Sequence, residues 1–283
     1  MRSLFSLKTA VLVLLVASLS LPAAAAVDEV ARKGQTILET HKDAVITVSM
    51  VISISFGGDE MEDEMEANAT VIDPSGLSVL ALSAVDPTAL FEAMGGPSGE
   101  AISRVKDMKM ILGDGSEIDA GVVLRDRDLD MAFIRPIDPP DEPMPYVDIE
   151  QSASPEMLEE LVLIGQLGMV ARRSHMVFVE RVQAIVERPR TFYILAQHRS
   201  RDIMCSPAFD LEGNFVGIGV MRAVRGAARR GLGESNIVVL VTAEDIREAA
   251  EQAPEETEPV EEEMVTPIEG DDDAMSEMEP ELE

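Results

Sequence analysis

One cysteine and three histidines are the whole supply of thiol and imidazole groups in this 283-residue chain. Cys205 would be reactive only with a base or positive charge beside it. His41, His175 and His198 are scattered, and only His198 lies close to the cysteine in sequence. Such a set does not supply the clustered ligands of a transition-metal site. Carboxylates are abundant. Residues 59–66, "DEMEDEME", and 270–283, "GDDDAMSEMEPELE", offer oxygens to calcium, yet neither has the EF-hand spacing. The methionines between those acids add weak soft-metal ligands. Both segments read first as solvated acidic stretches, and no metal or cofactor is expected.

Charge is unevenly distributed. The chain carries a net −30. Residues 27–154 hold 9 basic and 26 acidic side chains, residues 155–250 hold 12 of each, and residues 251–283 hold 15 acids and no base. Nucleic acid is thereby excluded as a partner, because phosphate binding needs a basic surface. Residues 1–26 have the form of an export signal: Arg2 and Lys8, then the apolar run "AVLVLLVASLSL", then "PAAAA". The run is short for a membrane anchor and no basic stop follows. The expected location is secreted or periplasmic, with no transmembrane span in the mature chain. A single cysteine forbids an internal disulfide, so an exported fold must rely on packing. The sequon Asn68-Ala69-Thr70 begins a strand pattern and is expected to be unused.

The elements that must position these side chains are mostly strands. Residues 27–43 read as a short amphipathic helix, and residues 44–56, "AVITVSMVISISF", alternate as a strand. The acidic run 57–67 is expected to be a loop. "TVIDPSGLSVLALSAV" is strand, turn at Asp73-Pro74-Ser75-Gly76, and strand. "AMGGPSGEA" reads as a flexible loop. Residues 108–136 give three strands around a Gly-Asp-Gly turn and a polar loop, and the proline-rich residues 137–145 read as a linker. Five more strand patterns follow, including "SPAFDLEGNFVGI", which turns at Glu212-Gly213-Asn214. Thr242 and Asp245 form a capping box for a closing helix. Beyond residue 250 the tail is too acidic and too poor in apolar groups to fold. The class is all-β: two consecutive antiparallel barrels, about 44–137 and 155–248, within a 27–250 domain, with a short N-terminal helix, a C-terminal helix and a disordered acidic tail, 251–283.

Four segments, in order, resemble the trypsin-like serine proteases of the HtrA/Deg type: "TVIDPSGLSVLALSAV", "DRDLDMAFIRP", "LVLIGQLG" and "SPAFDLEGNFVGI". The resemblance spans about residues 44–248 and implies a double β-barrel. The family's C-terminal peptide-binding PDZ domain is missing. On this alignment the catalytic histidine position carries Ser83, the aspartate position keeps Asp130, and the nucleophile position carries Met204. The glycine that helps to build the oxyanion hole becomes Asp202.

Acyl transfer needs a hydroxyl or thiol, a base, and donors aimed at an oxyanion. A thioether has no ionisable proton. A serine hydroxyl is too weak a base, and a carboxylate at residue 202 would repel an oxyanion. The resemblance therefore implies a pseudoprotease with no working catalytic residue. Asp130 would simply accept hydrogen bonds from Ser83 or backbone. Cys205 is the alternative nucleophile, but it sits one residue past the required place.

The expected function is binding a peptide or protein partner, or regulating an active relative. An atypical serine-type or cysteine-type endopeptidase is one alternative, and an acidic cation-binding envelope module is another. On the family fold, Arg172, Arg173, Arg199, Arg201, Arg222, Arg225, Arg229 and Arg230 would rim the vestigial cleft. That rim would suit an acidic peptide or the chain's own tail. A trimer is possible by family resemblance, although nothing in this chain secures it.

Overall fold

The computed structural model describes residues 21–56, 59–88, 101–195, 203–223 and 236–257. They form two curled antiparallel sheets, one a closed barrel, flanked by helices at either end. Helix α1 (Leu21–His41) leads through a 3-10 turn (Lys42–Ala44) into β1 (Val45–Phe56). The first barrel continues with β2 (Asp59–Val71), β3 (Ser78–Ala81), the single helical turn α2 (Leu82–Val85), β4 (Ala101–Ile111), β5 (Glu117–Asp126) and β6 (Met131–Pro136). Its strand order is β1-β2-β3-β6-β5-β4, closed by β1 against β4.

Alternation explains the first strand. Ile46, Val48, Met50, Ile52 and Ile54 point inward and are buried. The acidic run, expected to be a loop, is instead most of β2, paired with β1 from Thr70 to Asp59. Its charges hide a period of two. Glu60, Glu62, Glu64 and Glu66 share one face, while Met61, Met65, Ala67, Ala69 and Val71 share the other with Asp63. A register shift in the β1–β4 pairing leaves Lys106 as an extra residue between Val105 and Asp107. Its ammonium reaches Glu60 at 3.0 Å and Glu62 at 2.5 Å. This bulge directs a cation towards an acidic edge strand that would otherwise repel itself.

The second sheet comprises β7 (Glu160–Gln166), β8 (His175–Arg181), β9 (Ala184–Val186), β10 (Phe192–Ile194), β11 (Pro207–Phe209), β12 (Phe215–Ala223) and β13 (Asn236–Thr242). Their order is β8-β7-β11-β12-β13-β10-β9. Because β8 runs into β9 through Val182 and Gln183, chain continuity joins the two ends of that order. One stretch expected as a single strand thus pairs first with β7 and then with β10. Helix α3 (Ala243–Ala250) follows, with Thr242 Oγ1 accepting from the Asp245 backbone N–H at 3.1 Å.

The central strands of the second sheet are buried on both faces, which fixes the barrels against each other. Leu161, Leu163, Val216, Val238 and Leu240 fill its own interior. Val162, Ile164, Phe215, Val220, Val239 and Val241 belong to a larger core continuous with the first barrel. Residues 137–145 lead out of the first barrel without regular secondary structure. Met144 is buried there and donates its N–H to Pro74 O. After α3 the chain returns to the first barrel, where Arg135 Nε donates to Pro254 O and Thr257 Oγ1 donates to Pro136 O. Of the tail expected to be disordered, 251–283, residues 251–257 are thus placed against the first barrel, while residues 258–283 lie outside the described residues, as do residues 1–20 of the expected export signal. The helix α1 begins at Leu21, earlier than expected. No helix of the described residues is long and apolar enough to cross a membrane.

Gly219 shows how tightly β12 meets its neighbour. A Cβ there would lie 1.9 Å from Ile203 O. Gly219→Ala should therefore push the 203–206 turn off the strand and lower stability by about 2–3 kcal/mol in urea unfolding. An unchanged midpoint would show that the turn is not seated as described.

Candidate functional site

Where the two barrels meet, three donors converge on one carboxylate. Asp130 ends the β5–β6 turn with φ +56°, a left-handed conformation that turns its side chain back towards α2. Ser83 donates to it twice, from its backbone N at 2.8 Å and its hydroxyl at 2.9 Å. From the second barrel, Met221 N donates to Asp130 Oδ2 at 2.8 Å. Asp130 O in turn accepts from Leu82 N. Burial lifts the Asp130 pKa from the ordinary 3.8 to about 6, against the opposing pull of these N–H and O–H donors and the charge of Arg222. Removing the carboxylate would strand two backbone N–H groups, at about 1–3 kcal/mol each when buried.

The proton of Ser83 is thus committed to Asp130, with no imidazole between them. His41 stacks on Phe209 at 4.3 Å, in another part of the fold. His175 lies nearer. Its Nε2 is 3.0 Å from Gln166 Nε2, and because that amide donates, the ring nitrogen accepts. Gln166 Oε1 accepts from Thr47 Oγ1 at 2.6 Å. His198 and Asp202 lie outside the described residues.

Residues 203–206 form a tight turn against β12. Cys205 N donates to Gly219 O at 2.8 Å, and Gly219 N donates to Ser206 O at 3.1 Å. Cys205 takes φ +61°, which sends its side chain inward, where Sγ accepts from Ala81 N at 3.3 Å. Burial pushes the thiol pKa up to about 12, and the nearby Asp130 charge acts in the same direction. A thiol so placed stays protonated at neutral pH and is a poor nucleophile. Met204 is half-buried and faces the opening instead.

Ser83, Met204 and Cys205 line one cavity of about 340 Å³ between the barrels. Met65 and Leu167 add apolar walls, and Thr47, Asn68 and Gln166 add polar groups. Glu66 is paired with Arg173 at its edge. The polar lining was not found by reading the sequence. Thr47 and Asn68 are cross-strand partners on β1 and β2, Gln166 comes from β7 of the other sheet, and no motif links them. Gly165 is a partial signal, since a Cβ there would press on Ser206 Oγ at 3.0 Å.

Of the eight arginines expected to rim the cleft, three lie among the described residues. Arg172 is exposed, with φ +54°. Arg173 is held by Glu66, and Arg222 donates to Asp128 O and stacks over the Phe192 ring at 5.7 Å. The last two thus tie the second barrel to the first. Arg199, Arg201, Arg225, Arg229 and Arg230 lie outside the described residues. Among the described residues no three His, Cys, Asp or Glu side chains are placed to hold a metal ion.

A scan against protein-family models finds no match to this chain, and a search of curated proteins finds none.

The raised Asp130 pKa has a readable consequence. The folded state binds this proton more tightly than the unfolded state, so its contribution to stability is present below about pH 4. That contribution falls as pH rises through about 6. Carboxyl ¹³C NMR should show Asp130 titrating near pH 6, and Ser83→Ala, which removes a donor to the ionised form, should raise the midpoint further. A midpoint at the ordinary value would contradict the described burial.

Proposed function

We propose that this chain is an exported, trypsin-like double barrel of HtrA/Deg resemblance that binds an extended peptide or a protein partner without hydrolysing it. The observation that carries the reading is the pairing of Ser83 with Asp130. Where a hydrolase of this plan needs an imidazole base, this chain has a hydroxyl whose proton points at the carboxylate. Where it needs a nucleophile, it has the thioether of Met204, and the neighbouring thiol is buried and protonated. Losing the nucleophile or the base in such a site costs about six orders of magnitude in turnover.

Binding is supported by the edge of β12. Successive residues of an antiparallel strand direct their backbone groups to alternate sides. Gly219 and Met221 bond away from β13, to the 203–206 turn and to Asp130. By the same alternation Met221 O and the N–H and C=O of Ala223 face outward. Among the described residues no strand pairs that edge beyond Gly219. A peptide added there would run along the cleft and gain main-chain hydrogen bonds, with side-chain pockets supplying selectivity.

Two measurements test this. A fluorophosphonate probe for active serines should leave the protein unlabelled, and casein should stay intact with or without a thiol blocker. Selection from a phage-displayed random peptide library should enrich binders on the wild type and lose them on Ala223→Pro, which deletes the outward N–H. Labelling abolished by Ser83→Ala would overturn the loss of catalysis. Enrichment unaffected by Ala223→Pro would overturn the mode of binding.

A further inference from the structure

Away from the cleft, the end of α1 leans over the second barrel and borders an open cavity of about 500 Å³. Residues 146–151 and the β11–β12 turn form its other walls. This volume suits a small ligand or one long side chain.

Its polar lining is rich in acceptors, although the Tyr146 hydroxyl and the Gln151 amide can also donate. Thr36 and Thr40 each donate the hydroxyl proton to a helix carbonyl four residues back, at 3.0 and 2.8 Å. Only their lone pairs remain. The His41 ring donates to the Gly213 carbonyl, and burial lowers its pKa, so the ring is neutral at pH 7 and its second nitrogen is an acceptor. Asp148 and Glu212 bring carboxylates. Asp148 already takes the Glu150 N–H and the Gln151 amide, at 3.0 and 2.9 Å, yet each oxygen retains a lone pair. Glu212 is bridged to Lys33 at 3.0 Å, so the protein itself places one ammonium at this rim.

The field has the same sign. His41 closes a 21-residue helix, whose C-terminal end carries partial negative charge. A lining of acceptors in a negative field is complemented by a cation that carries several N–H donors. A bare metal ion is not favoured, since no three His, Cys, Asp or Glu side chains of the described residues converge. The acceptors come from three separate walls and not from one planar fork, which suits a compact ammonium better than a guanidinium.

We propose that this cavity binds an organic ammonium group, carried either by a free alkylamine or by a lysine side chain, with Asp148 as the principal counter-charge and Thr36, Thr40 and His41 as acceptors. The site is independent of the cleft and stands whether or not the cleft binds peptide.

The test is an NMR titration of ¹⁵N-labelled protein at pH 7.5 and constant ionic strength, following the His41 ring and the amides of residues 146–151. The probes are n-butylammonium, N-acetyl-lysine methylamide and tetramethylammonium. The first two should give saturable shifts confined to this cavity. Tetramethylammonium has the charge but no N–H and should give none. Asp148→Asn keeps a turn-forming side chain and should weaken binding at least tenfold, with an unchanged thermal midpoint showing that the variant is folded. A lysine amide that binds more tightly than butylammonium assigns the site to a polypeptide partner, and the reverse order assigns it to free amines. Equal shifts from tetramethylammonium, an unaltered affinity in folded Asp148→Asn, or no saturable shift would each overturn the proposal. The tetramethylammonium comparison needs no variant, so a misfolded Asp148→Asn cannot shield it.

Discussion

A single carboxylate holds the centre of this molecule together. Asp130 takes two hydrogen bonds from Ser83 and one from Met221, so α2, the β5–β6 turn and β12 share one acceptor. Those three elements belong to both barrels. Burying the charge has a price, visible in the pKa raised to about 6. It persists because each donor would otherwise be left without a partner at the interface. Around this point the apolar core passes unbroken from the first barrel to the outer face of the second sheet.

The same contact sets the chemistry of the cleft, because it commits the Ser83 hydroxyl to a carboxylate. The Ser83 hydroxyl donates to the Asp130 carboxylate, and among the described residues no imidazole is bonded to it. One residue from Met204, Cys205 is turned inward by its positive φ and kept protonated by burial. What remains is an opening with methionine and leucine walls, a polar floor, and a strand edge with outward amide groups. Two of the three described rim arginines also serve the scaffold, since Arg173 and Arg222 bridge to Glu66 and Asp128 across the interface.

Acidity is managed locally throughout. The glutamates of β2 share a face, and the bulged Lys106 stands between two of them. Glu212 meets Lys33, Arg190 meets Asp245, and Arg181 meets Glu160. Exposed pairs of this kind are each worth about 0–1 kcal/mol. Their role here is to let an acidic chain close its sheets without like charges facing each other, while packing provides the stability.

Much of this architecture was legible in the order of residues. Strand alternation in residues 44–56, the turns at Asp73–Gly76 and Glu212–Asn214, and the Thr242–Asp245 cap depend on neighbours a few residues away, and local sterics and hydrogen bonding decide them. The acidic strand β2 was misread because charge masked a period of two, and only pairing along β1 gives that period a sheet to join. The split of β8 from β9 depends on which partner each half meets. The cavity lining of Thr47, Asn68 and Gln166, the raised pKa of Asp130 and the inward turn of Cys205 lie further still from the sequence. They arise from contacts between residues 47 to 124 positions apart, as in Ser83–Asp130 and Ala81–Cys205. The sequence by itself determined most of the strands, turns and caps, and the residue types at positions 83, 130 and 204, because these follow from local pattern. Only the tertiary structure decided which groups are desolvated together, because burial is a property of neighbours in space.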